Sequence, residues 1–165
     1  MKRMIASGFG IGYLRPAPGT WASAVTVLLA VLAYEHLSPW LVPAGFVAST
    51  LLGFWAVPRL LATSADRDPS WVVIDEVSGQ SLALCFTVVP LARHGVSILD
   101  AWPGYVVPFL LFRLFDIWKP WLIGRADRRG DATGLMLDDI LAGVFAGLGS
   151  VVLAGLYHAV LEPML

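Results

Sequence analysis

The chain has 165 residues, of which 58% are hydrophobic and only 14% charged, with a net charge of −1 and a mean hydropathy of +0.75. A soluble domain averages about 25% charged residues, so these charges are too few to cover a soluble surface, and no basic field for nucleic acid exists. The single cysteine, Cys85, excludes an intramolecular disulfide, a CxxC motif and a cysteine zinc site. What remains is one domain, 1–165, of the all-α class: a polytopic membrane helix bundle of about five spans.

Met1-Lys2-Arg3 and the apolar stretch behind it mimic a signal peptide. The glycines within that stretch, the lack of a convincing cleavage site and Arg15 directly after it assign it to the mature chain. Residues 1–19 read as a short amphipathic or re-entrant segment ending in Arg15-Pro16-Ala17-Pro18-Gly19. Thr20 is the predicted N-cap of the first span, 21–37, which Ser38-Pro39 breaks. The second span, 40–61, ends near Pro58-Arg59 and gives way to a polar loop from Thr63 to Ser70. The third, 71–92, carries Asp75 and Glu76 in its first turns and closes at Arg93-His94-Gly95. The fourth, 103–118, is stopped by Pro120 and is short for a crossing of roughly 17–25 residues. A polar segment, Gly124 to Asp131, leads to the fifth span, 136–161, which opens with Asp138-Asp139. The seven Trp and four Tyr suit aromatic belts at the two interfaces.

Five crossings put the loops on alternating sides. Nine of the eleven basic residues fall on the side of the N-terminus, namely Lys2, Arg3, Arg15, Arg59, Arg67, Lys119, Arg125, Arg128 and Arg129. The positive-inside rule makes that side cytoplasmic. Nine of the twelve acids share it, which the rule does not require. The polar chemistry is therefore expected at one mouth, at one depth.

Four clusters converge there. Gly8 to Thr20 offers close backbone approach and free N–H groups at a helix start, an anion site suited to phosphate. Asp75-Glu76 stands at the head of an apolar run, with Gly79 one turn on. Arg113, Asp116 and Lys119 share a helix face at spacings of three. Asp138-Asp139, with Gly143 behind, echoes the second cluster, and the small residues let the two helices approach. Left bare, Asp75, Glu76, Asp116, Asp138 and Asp139 would repel one another strongly at low dielectric. A hard divalent cation with oxygen ligands resolves this, and Mg²⁺ is the usual choice beside phosphate. His36, His94 and His158 all fall toward the other side, which argues against zinc and against a histidine nucleophile. Cys85 lies about two turns deeper than Glu76 and reads as packing.

The four stretches GFGIGYLRPAPGTWAS from Gly8, DPSWVVIDEVSGQ from Asp68, FRLFDIWKP from Phe112 and GLMLDDILAG from Gly134 resemble the phosphatidylglycerophosphatase A family of bacterial membrane phosphatases. The resemblance runs through nearly the whole chain. One departure is Leu122, where the family pattern leads one to expect proline. The resemblance implies an all-helical inner-membrane enzyme that removes the terminal phosphate of phosphatidylglycerophosphate in a Mg²⁺-dependent reaction. Its partners would be the phospholipid substrate and membrane lipids, and no oligomeric state follows. Carried to these positions, the expected metal ligands are Asp75, Glu76, Asp116, Asp138 and Asp139. The expected catalytic set is Asp75, Glu76, Asp116, Lys119 and Asp139. Arg15, Gly19, Thr20, Arg113 and Lys119 would bind the phosphate. Two other classes fit the acid cluster: a small transporter or channel with a cation path, and a membrane phosphotransferase moving a phospho-alcohol. Against the first, such paths run toward the bilayer midplane, whereas these acids stop at one mouth.

Overall fold

The structure is a computed structural model and describes residues 1–66 and 68–161. Arg67, counted above among the basic residues of one side, and residues 162–165, which follow the expected fifth span, lie outside the described residues. The helices are α1 (Lys2–Ala6), α2 (Pro18–His36), α3 (Leu41–Leu61), α4 (Ile74–Arg93), α5 (Pro103–Trp118), α6 (Trp121–Asp127) and α7 (Ala132–Leu156). A 3₁₀ turn covers Ile11–Tyr13, and α7 runs on into a π-helical turn, Tyr157–Leu161. No strand occurs among the described residues, so the all-α expectation holds. The five expected spans coincide with α2, α3, α4, α5 and α7. Two of them, Leu41–Leu61 and α7 with its extension to Ala159, are long and apolar enough to cross a membrane. The other three are shorter or more polar. The 16 residues of α5 make a rod of about 24 Å, against a hydrocarbon core of about 30 Å.

Two local expectations are corrected. First, α2 begins at Pro18, with Ala17 at its N-cap and no side-chain cap; Thr20 already lies inside the first turn. Proline fixes its own φ in the helical range and has no N–H to satisfy, so it can open a helix without a capping hydroxyl. Second, the polar stretch after Pro120 contains a helix, α6. Lys119 and Trp121 take left-handed φ of 50° and 47°, with Pro120 extended between them. This reverses the chain at the end of α5 and lays α6 beside α7.

α4 is the axis of the bundle and packs against α7, α3, α2 and α5. At its lower end Ile74, with Val72 just before the helix, meets Val57, Met136 and Ala6. Its upper half meets Ala30, Val42 and Ile98 through Leu84 and Val88, and Cys85 packs at the edge of that cluster as expected. Ala83 joins Phe112, Ile123, Ala142 and Ala146 on the α5/α7 side. Small and polar side chains fill much of the interior: Ser23, Thr26, Ser49, Ser78, Gln80, Ser81 and Ser150 are buried. Several of the hydroxyls are satisfied by the preceding turn, as in Ser23 Oγ to Gly19 O at 2.9 Å and Ser150 Oγ to Ala146 O at 2.8 Å. The outward faces carry Leu28, Leu29 and Leu32 on α2, Leu51 and Leu52 on α3, Leu110 and Leu114 on α5, and Val151 to Leu153 on α7, all exposed.

At the end away from the site, Glu35 organises the turn before α5. Its Oε1 accepts from Ser97 Oγ at 2.7 Å, from Ile98 N at 2.7 Å and from Leu99 N at 3.3 Å.

Candidate active site

The starts of α2, α4 and α7 and the end of α5 meet at one end of the bundle. They enclose an open cavity of about 350 Å³. Asp75, Glu76, Arg113, Asp116, Lys119, Asp138 and Asp139 all line it, together with Gly19. The close approach rests on two glycines. A Cβ at Gly79 would run into the Asp139 carbonyl, and a Cβ at Gly143 into the Gly79 carbonyl. Each glycine sits one turn beyond an acid pair, so this backbone contact between α4 and α7 sets the two pairs side by side. At α2, a Cβ on Gly19 would collide with Glu76 Oε1; the missing side chain is what lets that carboxylate lie against the first turn of the helix. The start of α7 is fixed by Asp131, whose Oδ1 accepts from Gly134 N at 2.7 Å in a side-chain N-cap. Arg129 and the Gly134 N–H hold the Asp131 carboxyl below its ordinary range.

The carboxylates divide into two sets. Asp75, Glu76 and Asp139 each place one oxygen within 4.8 Å of the others. Among the described residues none of the three forms an ion pair, and Glu76 Oε2 and Asp139 Oδ1 are buried without any hydrogen bond. Asp116 and Asp138 are each paired instead. Arg113 Nη1 reaches Asp116 Oδ2 at 2.6 Å, and Lys119 Nζ reaches Asp138 Oδ2 at 2.7 Å and also donates to Asp127. Two buried acids and a half-buried one, no histidine and two orphaned buried oxygens fit a hard divalent cation: unpaired buried carboxylates are costly, and such an ion takes oxygen ligands. Asp116 and Asp138 fall outside that donor set.

Lys119 does not share a helix face with Asp116, contrary to the reading from spacing. It follows the last residue of α5 and takes the left-handed conformation, which swings its side chain toward α6 and α7. Burial disfavours its ammonium, but the hydrogen bonds to Asp127 and Asp138 outweigh that and hold its pKa above the ordinary lysine range. Arg15 is exposed, and neither it nor Thr20 lines the cavity; Ala17, Pro18 and Gly19 do. The cavity also gathers Asp68, Ser70, Asp127 and Asp131, which the sequence reading left in loops. Asp127 and Asp131 share a mixed-charge run, and Asp68 opens one of the resembling stretches, but nothing in these stretches says which charge faces inward.

A cavity that combines an unpaired acid triad, two cations and a helix N-terminus can hold a phosphoryl group, and the chain is an enzyme of the phosphatase class. The family model for phosphatidylglycerophosphatase A matches residues 4–154, and the chain belongs to that family. Among its relatives is a Bacteroides thetaiotaomicron protein provisionally named as a phosphatidylinositol-3-phosphatase. It is 36% identical over 149 residues, covering 87% of each chain. The phosphatidylglycerophosphatase A of Haemophilus influenzae is 31% identical, over 87% of this chain and 82% of its own. That of Escherichia coli K12 is 29% identical, over 87% of this chain and 77% of its own. No solved structure matches significantly.

Proposed function

We propose that this single domain hydrolyses phosphatidylglycerophosphate to phosphatidylglycerol and inorganic phosphate, with Mg²⁺, at the cytoplasmic face of the bacterial inner membrane. The observation that carries the reading is the division of the acids: an unpaired triad, Asp75, Glu76 and Asp139, beside two acids already holding cations. The triad would bind the metal, which when bound supplies a positive charge to polarise the phosphoryl oxygens. The chain's own groups do the rest. Arg113 and Lys119, oriented by Asp116 and Asp138, neutralise the charge that develops on phosphorus and leaving group. The free N–H groups at the start of α2, near Gly19, receive a further phosphate oxygen. Asp116 uses Oδ2 for Arg113, which leaves Oδ1 to take the proton of the attacking water.

The membrane placement, with α2, α3, α4, α5 and α7 as five spans, rests on the arrangement of side chains. Leucine and valine face outward while small and hydroxylated residues face inward, as in bundles packed in lipid. Exposed Trp21, Trp118 and Trp121 surround the site end, and exposed Trp40 and Trp102 the other, at positions suited to two interfacial belts.

The test is phosphate release from phosphatidylglycerophosphate by purified protein in detergent, with EDTA, with Mg²⁺ restored, and as Asp75→Asn and Asp139→Asn. Loss with EDTA, rescue by Mg²⁺ and a drop of at least about 100-fold in each variant are expected. Full turnover in either variant removes that residue from the site. A parallel panel of other phospholipid phosphate monoesters, inositol lipids included, reads the headgroup preference.

A further inference from the structure

The residues before α2 form a hook that the catalytic reading does not use. α1 and the 3₁₀ turn fold over the loop leading into α4. Val73 N donates to Ala6 O at 2.8 Å, and the Tyr13 ring stacks on Trp71 with centroids 6.2 Å apart. Arg3 ties the two together, donating from Nε to Tyr13 Oη at 3.0 Å with its guanidinium 4.9 Å from the Trp71 ring centre. The hook leads directly into Ala17-Pro18-Gly19 of the cavity lining, so it stands at the cavity's rim.

Its outer surface is apolar and basic together. Met4, Phe9, Tyr13 and Leu14 are exposed, Phe9 to 78%. Lys2, Arg3 and Arg15 lie among them, and no acid occurs before Glu35. Phe9 is held at φ 56°, a left-handed conformation uncommon for a bulky residue. Its own N–H to Met4 O at 2.8 Å, and Gly10 N to Ser7 O at 3.1 Å, hold it there. Strain of this kind persists where the surroundings fix it, and it gathers at functional surfaces. Here it aims a large aromatic ring away from the protein.

We propose that this hook is an anchor for anionic phospholipid at the mouth of the site: Phe9, Met4 and Leu14 enter the boundary between headgroups and acyl chains, while Lys2 and Arg15 meet lipid phosphates. The charge complementarity selects an anionic lipid surface over a neutral one, and the mixture of bulky apolar and basic side chains is that of an interfacial segment. The hook thus gathers anionic lipid beside the cavity. The proposal rests on the lipid-phosphatase reading for its benefit to turnover but not for its position.

The test uses the full chain in lipid nanodiscs. In a Cys85→Ala background, nitroxide labels are placed at Phe9→Cys and, as an exposed reference, at Asp66→Cys. With phosphatidylglycerol present, the label at position 9 is expected to show at least threefold greater relaxation by oxygen, relative to a water-soluble nickel chelate, than the reference; equal water access at both positions overturns the anchor. Separately, Lys2→Gln/Phe9→Asn, in which Asn tolerates the left-handed backbone, is assayed in vesicles. KM for long-chain phosphatidylglycerophosphate is expected to rise roughly tenfold, with kcat and the hydrolysis of a water-soluble short-chain phosphate ester unchanged. Equal loss on both substrates would show a structural role and overturn the proposal. If the unaltered protein hydrolyses neither, the phosphatase reading fails and the label depth alone upholds or overturns the hook.

Discussion

The backbone of Gly143 on α7 lies against the Gly79 carbonyl of α4, with Gly79 Cα 3.2 Å from where a Gly143 Cβ would stand. Asp75 and Asp139 sit one turn before these two glycines, so the spacing of the helix axes is also the spacing of the carboxylates. Gly143→Ala must push α7 off α4. Overpacking of this sort costs about 1–3 kcal/mol. Both a lowered unfolding temperature in detergent and a loss of phosphate release are expected. Gly45→Ala, at an open position on α3 where nothing stands near the added methyl, is the control and keeps both.

The two sets of carboxylates predict different responses to metal. Mg²⁺ at about one hundred times its dissociation constant stabilises a folded protein by about 2.7 kcal/mol. A thermal shift of that origin is expected in the unaltered chain and in Lys119→Gln. It is expected to vanish in Asp75→Asn and Asp139→Asn, which lose a ligand of the triad. A shift surviving in both would move the metal elsewhere.

Lys119 is a clamp between α6 and α7 through Asp127 and Asp138. Replacing it with Gln leaves the nearly buried Asp138 without its cation and is expected to cost about 1–3 kcal/mol. Its folded pKa lies above the unfolded value of about 10.4. The clamp's contribution is therefore complete below that pH and is lost as pH rises through the higher folded value. The gap in melting temperature between the unaltered chain and Lys119→Gln should stay constant from about pH 7 to 9 and narrow only in stronger alkali.

Glu35 serves the far end. Glu35→Ala strips the acceptor from Ser97, Ile98 and Leu99. A fall of a few degrees in melting temperature, with kcat and KM unchanged, is the expected outcome. A change in KM would tie that end of the bundle to the substrate.

Much of the architecture was legible because it depends on local chemistry. Runs of Leu, Val and Ala bounded by Pro, Gly and polar loops set the five long helices to within a few residues, and the alternation of loops put the acids at one mouth. The echo of Asp75-Glu76-x-x-Gly79 in Asp138-Asp139-x-x-x-Gly143 pointed to the contact of α4 with α7, since a glycine one turn behind an acid can serve close packing. The start of α2 was misplaced because a capping hydroxyl at Thr20 competed with a helix-opening Pro18, and the proline's fixed φ prevailed. α6 was missed because its seven residues are too few for a periodic pattern to stand out.

The sequence by itself determined the class of protein, the five long helices and the acids and cations that meet at the mouth from α4, α5 and α7, because hydropathy, helix punctuation and residue type are properties of the chain read in order. Pairing is not. Spacing joined Lys119 to Asp116, but the left-handed turn at Lys119 sends it to Asp127 and Asp138, and Arg113 takes Asp116 instead. Only the tertiary structure decided that, among the described residues, Asp116 and Asp138 are ion-paired while Asp75, Glu76 and Asp139 are not. That division depends on which helix faces approach one another and on where each side chain ends, and residues distant along the chain decide both.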